Sequence, residues 1–313
     1  MCVWGHMQPY QTQTDRTSQT GPSRARQCVD PLTQVCLAKS TSMAFLHEIV
    51  ARKEQELAQA RQLRDLKGIK AMIADSPSVR SFSAALRNGF GLIAEIKRKS
   101  PSGGEMRAEN VERAPAAYAR SPVVKAVSVL TNATDFGMSI GELQRMRAAI
   151  SKPILRKDFI FDEYQVYEAR AFGADALLLM ANVLERDEMK RLFELSREVG
   201  LDVLFEAHTK EEIENIPEGA VLYGINSRKF KASTKVFSDS RKGADLSVEL
   251  DTFELVRYVP ERAIKIAESG VGPAQVPEVI KLGYDAILVG TSLLKAVGGV
   301  EAMLREFEEA CRP

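Results

Sequence analysis

Five ionisable side chains stand where short apolar runs of this chain end: Glu95, Lys97, Lys157, Glu206 and Glu268. Charged side chains are seldom fully buried unless paired. Two lysines among three carboxylates suit a site that binds an acid, protonates a carbonyl oxygen and removes a proton elsewhere. Burial lowers a lysine pKa and adjacent carboxylates raise it, so the net shift stays open at this level. For any one of the five, a structural ion pair is an equal reading; their recurrence at run after run favours a site. Asn226 and Arg228 follow the sixth run and suit a hydroxyl or a carboxylate, the arginine by its two-pronged geometry. Arg228 as a solvated loop cation is the alternative.

A second signal concerns phosphate. Gly270 and Gly272 follow the seventh run, and Gly290-Thr291 follows the eighth and opens a short helix through Leu293 to Ala296. Glycine lets backbone N–H groups approach an anion, and a helix N-terminus favours it by about 0.3–1 kcal/mol. Ser100, Pro101 and Ser102 after the first run add weaker donors. The three histidines, His6, His47 and His208, have no serine or cysteine nucleophile beside them, so a Ser-His-Asp mechanism has no support. His208 reads as a polar loop residue. Cys2, Cys28, Cys36 and Cys311 lack metal-ligand spacing, so no metal is expected.

The runs that carry these residues are Leu92–Ile96, Ala126–Leu130, Pro153–Leu155, Ala176–Met180, Val203–Phe205, Val221–Ile225, Ala263–Ala267 and Ala286–Val289. Helix signals separate them: a capping box of Thr209 and Glu212, and stops at Gly173, Gly200 and Gly283. Strands that are apolar throughout and alternate with helices imply parallel pairing covered on both faces. Eight units close into a (β/α)8 TIM barrel or open into a doubly wound sheet. The barrel is favoured, because it brings every strand end to one rim, including Thr131 and Asn182 as well as the groups above. No G-x-G-x-x-G turn follows the first strand, which weakens a dinucleotide-binding reading. Two extra helices precede the barrel. The first runs from about Ala44 to Leu66 behind Ser42, and the second runs from Ser76 and Pro77 through Phe82 and Leu86 to Gly89.

Residues 1–42 are rich in Gln, Ser and Thr, lack apolar periodicity and read as a disordered leader, leaving 43–313 as the barrel with its helical extension. The leader is either a transit segment or sequence without a structural role, which places the protein in the cytoplasm or, in the first case, an organelle. With 43 basic and 42 acidic residues among 313, the chain is too near neutrality to hold a nucleic acid by bulk charge. No apolar run approaches the ~18 residues needed to cross a bilayer. The partner expected is a small phosphorylated molecule; oligomeric state is open.

Seven segments appear in register with one family: AEIKRKSPS from Ala94, SVLT from Ser128, PILRKDFIFDEYQV from Pro153, LFEAH from Leu204, GINSR from Gly224, AESGV from Ala267 and LVGTSLL from Leu288. Over essentially Ala44 to Glu309 the chain resembles indole-3-glycerol phosphate synthase, the lyase of tryptophan biosynthesis. The resemblance implies ring closure, decarboxylation and dehydration of 1-(2-carboxyphenylamino)-1-deoxyribulose 5-phosphate, with no cofactor. It makes Lys157 the general acid at the ketone oxygen and pairs Lys97 with the carboxylate. Glu206 and Glu95 become acid/base carboxylates, and Asn226, Arg228, Glu268 and Ser269 orient the substrate. Ser100, Gly270, Gly290 and Thr291 become phosphate contacts, and Phe136 and Phe159 pack on the aryl ring. Two departures lie at the expected rim. After SVLT the family has an acidic residue and two adjacent aromatics, where this chain has Asn132 and the pair Asp135-Phe136, and the loop from Ser227 to about Asp251 is long and basic. Competing readings are an isomerase of a related phosphorylated aminosugar, of the phosphoribosylanthranilate type, and a paralogue that only binds a phosphorylated ligand.

Overall fold

The computed structural model describes residues 48–228, 231–232, 244–245 and 250–312. The leader and most of the long loop after the sixth strand lie outside the described residues. Eight parallel strands form the centre: β1 (Gly91–Ile96), β2 (Val124–Leu130), β3 (Ile154–Lys157), β4 (Ala176–Met180), β5 (Asp202–Ala207), β6 (Leu222–Asn226), β7 (Ile264–Glu268) and β8 (Ala286–Val289). Each pairs with the next, and β8 returns to β1 with Ala286 opposite Gly91 and Val289 opposite Ala94, so the sheet is a closed barrel.

Alternation along each strand divides the apolar residues into two cores. Leu92, Ala94 and Ile96 face outward with Val127, Val129, Leu177 and Leu179 against the surrounding helices. Ile93, Ala126, Leu155, Leu178, Leu204, Leu222, Ile266 and Leu288 face inward and fill the barrel. That parity decides the chemistry, because successive side chains on a strand point to opposite faces. Glu95 lies two residues beyond Ile93, Lys157 beyond Leu155, Glu206 beyond Leu204 and Glu268 beyond Ile266. They form the last inward layer, at the carboxyl rim.

β3 runs two residues past the expected apolar stretch, through Arg156, which is only 2% exposed. Its guanidinium donates to Glu168 Oε2 at 2.8 Å, Asp158 Oδ2 at 3.1 Å, the Gln165 carbonyl at 2.8 Å and Thr131 Oγ1 at 3.1 Å. A buried arginine with this many partners is compatible with an outward strand position that hydrophobicity alone would reject.

The helices before the barrel differ from expectation. The first covers residues 48–63 and does not continue to Leu66. Asp65 is extended and accepts from Gly68 N at 2.7 Å, capping a separate helix, Leu66–Met72. A short acidic side chain competes in this way for helical N–H groups. The helix expected from Pro77 starts instead behind Ser81 and covers Phe82–Leu86. Tertiary bonds hold the preceding segment extended: Arg80 N donates to Asp175 Oδ1 at 2.7 Å, and its guanidinium reaches the carbonyls of Ile150 at 2.6 Å and Lys152 at 2.9 Å. Phe82 and Leu86 enter the inner core near the amino ends of the strands, where Ser83 N meets Asp202 Oδ2 at 2.8 Å.

Between β6 and β7 the described residues carry 3-10 turns over Leu250–Tyr258 in place of an α-helix. Elsewhere helices cover the barrel, and Gly173, Gly200 and Gly283 follow their carboxyl ends with φ of 84–89°, the left-handed geometry of a helix stop. Among the described residues no helix is long and apolar enough to cross a membrane.

Candidate active site

The carboxyl rim surrounds one cavity with two chemically different ends. Leu130, Phe136, Phe159, Leu178, Met180 and Ile49 make an apolar wall. Ser269, Gly270, Gly290, Thr291, Ser292 and Ser100 line the other end, beyond β7 and β8. Between them stand Glu95, Lys97, Lys157, Glu206, Asn226, Arg228 and Glu268.

Lys157 reaches from β3 across the mouth to β7. Its Nζ donates to Glu206 Oε2 at 2.6 Å and to Glu268 Oε2 at 3.0 Å. Burial lowers its proton affinity, but Glu206, Glu268 and Glu95 outweigh that, so the pKa is raised and the group is an ammonium at neutral pH. Burial pushes Glu206 upward, yet Lys157 and His208 overcome it, and its pKa falls below the carboxylate range. Glu268 goes the other way, raised first by burial and then by Glu206 in opposition to Lys157. One ammonium between two carboxylates thus leaves one acid ionised and the other holding a proton. Lys97 pairs with Glu95 two residues before it, both buried. Asn226 Nδ2 donates to Glu206 Oε1 at 3.0 Å, and Arg228 touches Ser102 across the mouth.

Glycines make this packing possible. A Cβ on Gly224, the inward residue of β6 below Asn226, would lie 2.0 Å from Glu268 Oε1. A Cβ on Gly290 would lie 2.5 Å from Glu95 Oε1. The anion end is equally constrained. Ser269 has φ of 69° and Gly270 of 70°, two consecutive left-handed residues after β7. Ser227 Oγ holds that turn by donating to the Ser269 carbonyl at 2.9 Å. Thr291–Leu294 begins a one-turn helix whose first N–H groups have no intrahelical acceptor.

Every residue to which the family resemblance gives a catalytic or substrate-binding role lines this cavity. Thr131 and Asn182 do not; Thr131 instead donates to Asp158 Oδ2 at 2.6 Å. Gly272 is also outside, its N–H bonded to Gln275 Oε1 at 3.0 Å. Asp135 faces away from the aryl wall, with Oδ1 at 2.9 Å from Arg52 Nη2, and Phe136 supplies the ring surface.

Four supporting residues escaped the reading of the sequence. Lys53, on the first helix and 4% exposed, places Nζ 2.6 Å from Asp158 Oδ2 and 3.0 Å from the Thr131 carbonyl. Asp158 Oδ1 in turn accepts from Phe159 N at 2.9 Å, fixing the backbone between Lys157 and the ring wall. The lysine and aspartate of RKDF were visible, but the partner of Asp158 lies far away in sequence. Gly224 carried a signal as an isolated glycine within a strand. His208 does lie in the loop after β5, as read; what escaped is its half-buried setting, with Nε2 3.6 Å from Glu206 Oε1 and Nδ1 3.3 Å from Glu212 Oε2. Glu212 reaches back to His208 N at 2.7 Å, so only the Thr209 half of the expected capping box forms.

A closed parallel barrel with an acid–base rim, an apolar wall and backbone donors at the β7–β8 end defines a (β/α)8-barrel enzyme for a phosphorylated, partly apolar substrate. The indole-3-glycerol phosphate synthase family model matches residues 46–307. A curated indole-3-glycerol phosphate synthase from Nocardioides sp. is 40% identical over 263 residues, covering 81% of this chain and 94% of that one. The Micrococcus luteus counterpart is 37% identical over 279 residues, covering 86% and 98%. The chain belongs to the indole-3-glycerol phosphate synthase family. The solved structure of 3-hexulose-6-phosphate synthase from Salmonella typhimurium shares the fold, with a TM-score of 0.52 at 13% identity, covering 71% of this chain and 98% of that one.

Proposed function

We propose that this rim converts 1-(2-carboxyphenylamino)-1-deoxyribulose 5-phosphate to indole-3-glycerol phosphate, carbon dioxide and water, and that residues 43–313 carry the activity. The observation that carries the reading is the ammonium of Lys157 held by two buried acids, Glu206 and Glu268, between an apolar wall and a backbone anion cradle. The phosphate docks at Ser100, Gly270, Gly290 and Thr291, and the aryl ring packs on Phe136 and Phe159. Lys97 then meets the aryl carboxylate, exchanging part of its contact with Glu95.

With the substrate anchored at both ends, the ring carbon bearing the carboxylate lies against the ketone carbon, and positioning supplies much of the rate. As the carbon–carbon bond forms, the ketone oxygen gains negative charge and takes a proton from Lys157; a placed acid is typically worth ~10²–10⁴ in rate. Loss of carbon dioxide restores the aromatic ring. Lys97 protonates the departing hydroxyl, while Glu206 and Glu95 are the carboxylates placed to accept the methylene proton. Asn226, Arg228, Glu268 and Ser269 orient the ribulosyl chain.

The test is to mix the purified protein with the phenylamino-ribulose phosphate and follow indole fluorescence and carbon dioxide release together. Both signals are expected. Product of unchanged mass would make it an isomerase, and no change at high enzyme concentration would leave only a binding protein.

A further inference from the structure

The proposed reaction has an unbalanced proton. The ketone oxygen leaves as water carrying two protons; the methylene carbon returns one, and the aryl carboxylate departs as neutral carbon dioxide. Each turnover therefore draws one proton from solution. Substrate docked as proposed covers the mouth above Lys157, the acid that must be recharged.

A second route to Glu206 runs through the turn that follows β5. Glu212 begins it with a side chain 20% exposed, His208 follows at 13%, and Glu206 ends it at 2%. Nδ1 of His208 lies 3.3 Å from Glu212 Oε2, its Nε2 lies 3.6 Å from Glu206 Oε1, and Glu206 Oε2 lies 2.6 Å from Lys157 Nζ. These contacts enter and leave each group by different atoms, which is what a relay requires. We propose that His208 is a positioning residue that passes protons between Glu212 and Glu206, so that the acid Lys157 is recharged while the mouth is occupied. The inference rests on the reaction proposed above.

The transfer balances at every link. Neutral imidazole carrying its proton on Nε2 gives that proton to Glu206 as the bare Nδ1 takes one from protonated Glu212, and Glu206 passes its proton on to neutral Lys157. Closing the longer gap to hydrogen-bond length takes a shift of a few tenths of an ångström, of the kind active sites make when substrate binds. The charged groups around the imidazole are Glu206 on β5, Glu212 on the following helix, Glu268 on β7 and, beyond Glu206, Lys157. Burial opposes its protonation, but Glu212, Glu206 and Glu268 outweigh burial and its pKa is raised.

The full-length protein and His208→Gln, which keeps hydrogen-bonding groups but cannot titrate, are compared for kcat and KM between pH 5.5 and 9. A kcat lower by about 10–100-fold is expected for losing one proton-transfer group, with KM changed less than about twofold. Added imidazole should restore turnover in proportion to its concentration. Glu212→Gln should show the same defect in milder form. If His208→Gln does not fold, Glu212→Gln decides, and a wild-type pH profile for it overturns the relay. Wild-type kcat in His208→Gln, or a loss that imidazole does not touch, overturns the relay alone. Absence of turnover in the wild-type protein overturns the reaction and the relay with it.

Discussion

A single methyl group on Gly224 should separate activity from stability. In Gly224→Ala the new Cβ falls 2.0 Å from Glu268 Oε1 and 3.1 Å from Glu268 Cδ, while Leu204 Cδ1 stays at an acceptable 3.4 Å. Carbon and oxygen do not approach within about 3 Å, so the carboxylate must retreat by about 1 Å. That movement stretches its 3.0 Å contact with Lys157 beyond hydrogen-bond range. A displacement of about 1 Å in a catalytic constellation costs about 10²-fold. The stability loss should sit near the low end of the ~1–3 kcal/mol typical of overpacking, because the displaced atom is the tip of a side chain rather than backbone. Indole formation under saturating substrate gives kcat, and thermal unfolding gives Tm. Gly141→Ala is the control, since its Cβ meets nothing closer than Ser139 Oγ at 3.6 Å. It should keep wild-type kcat and gain up to about 1 kcal/mol. Gly224→Ala with turnover within twofold of wild type would refute the argument that this glycine exists to seat Glu268.

Lys157→Ala should lose at least ~10²–10⁴ in turnover while keeping the native circular dichroism spectrum, and near-normal activity would overturn its assignment as the acid. Lys53→Met removes a buried partner of Asp158; because Arg156 still balances the carboxylate, the loss should be near the lower end of ~3–5 kcal/mol, read as a lowered urea midpoint, and an unchanged midpoint counts against the strut. For pH dependence, burial and Glu206 raise the Glu268 pKa to about 8 from an ordinary 4.5. The folded state therefore keeps a proton that the unfolded chain releases, so this contribution is full below pH 4.5 and is lost as pH rises through about 8. Glu268→Gln cannot titrate, so its urea midpoint should gain on wild type between pH 5 and 8; a constant difference across that range contradicts the assignment.

The strands were legible because parallel barrel strands bury both faces and write themselves as apolar runs. The rim was legible for a related reason: a charge that ends such a run on the inward parity has nowhere to go except the mouth. Arg156 shows the limit, since nothing local indicates that Glu168 and Asp158 will bury with it. Pro77 shows another, where a sound helix-start signal lost to bonds from Arg80 to residues 70–95 positions away. Lys53, His208 and Gly224 were missed because their meaning lies in a neighbour: Asp158, Glu206 and Glu268. Spacing along the chain does not encode such pairings, whereas the seven matched segments fixed the identity of the groups that meet.

The strut between the first helix and the rim has a consequence for how the chain is made. Arg52 finds Asp135 across 83 residues and Lys53 finds the Thr131 carbonyl across 78. A polypeptide leaving the ribosome therefore exposes Ile49 and Leu57 long before anything exists to cover them. Closure waits longer still, because β1 completes its ladder only when β8 has emerged. Until then both margins of the sheet are open to foreign strands. Chaperone demand in the cell should accordingly depend on the pace of translation between β1 and β8.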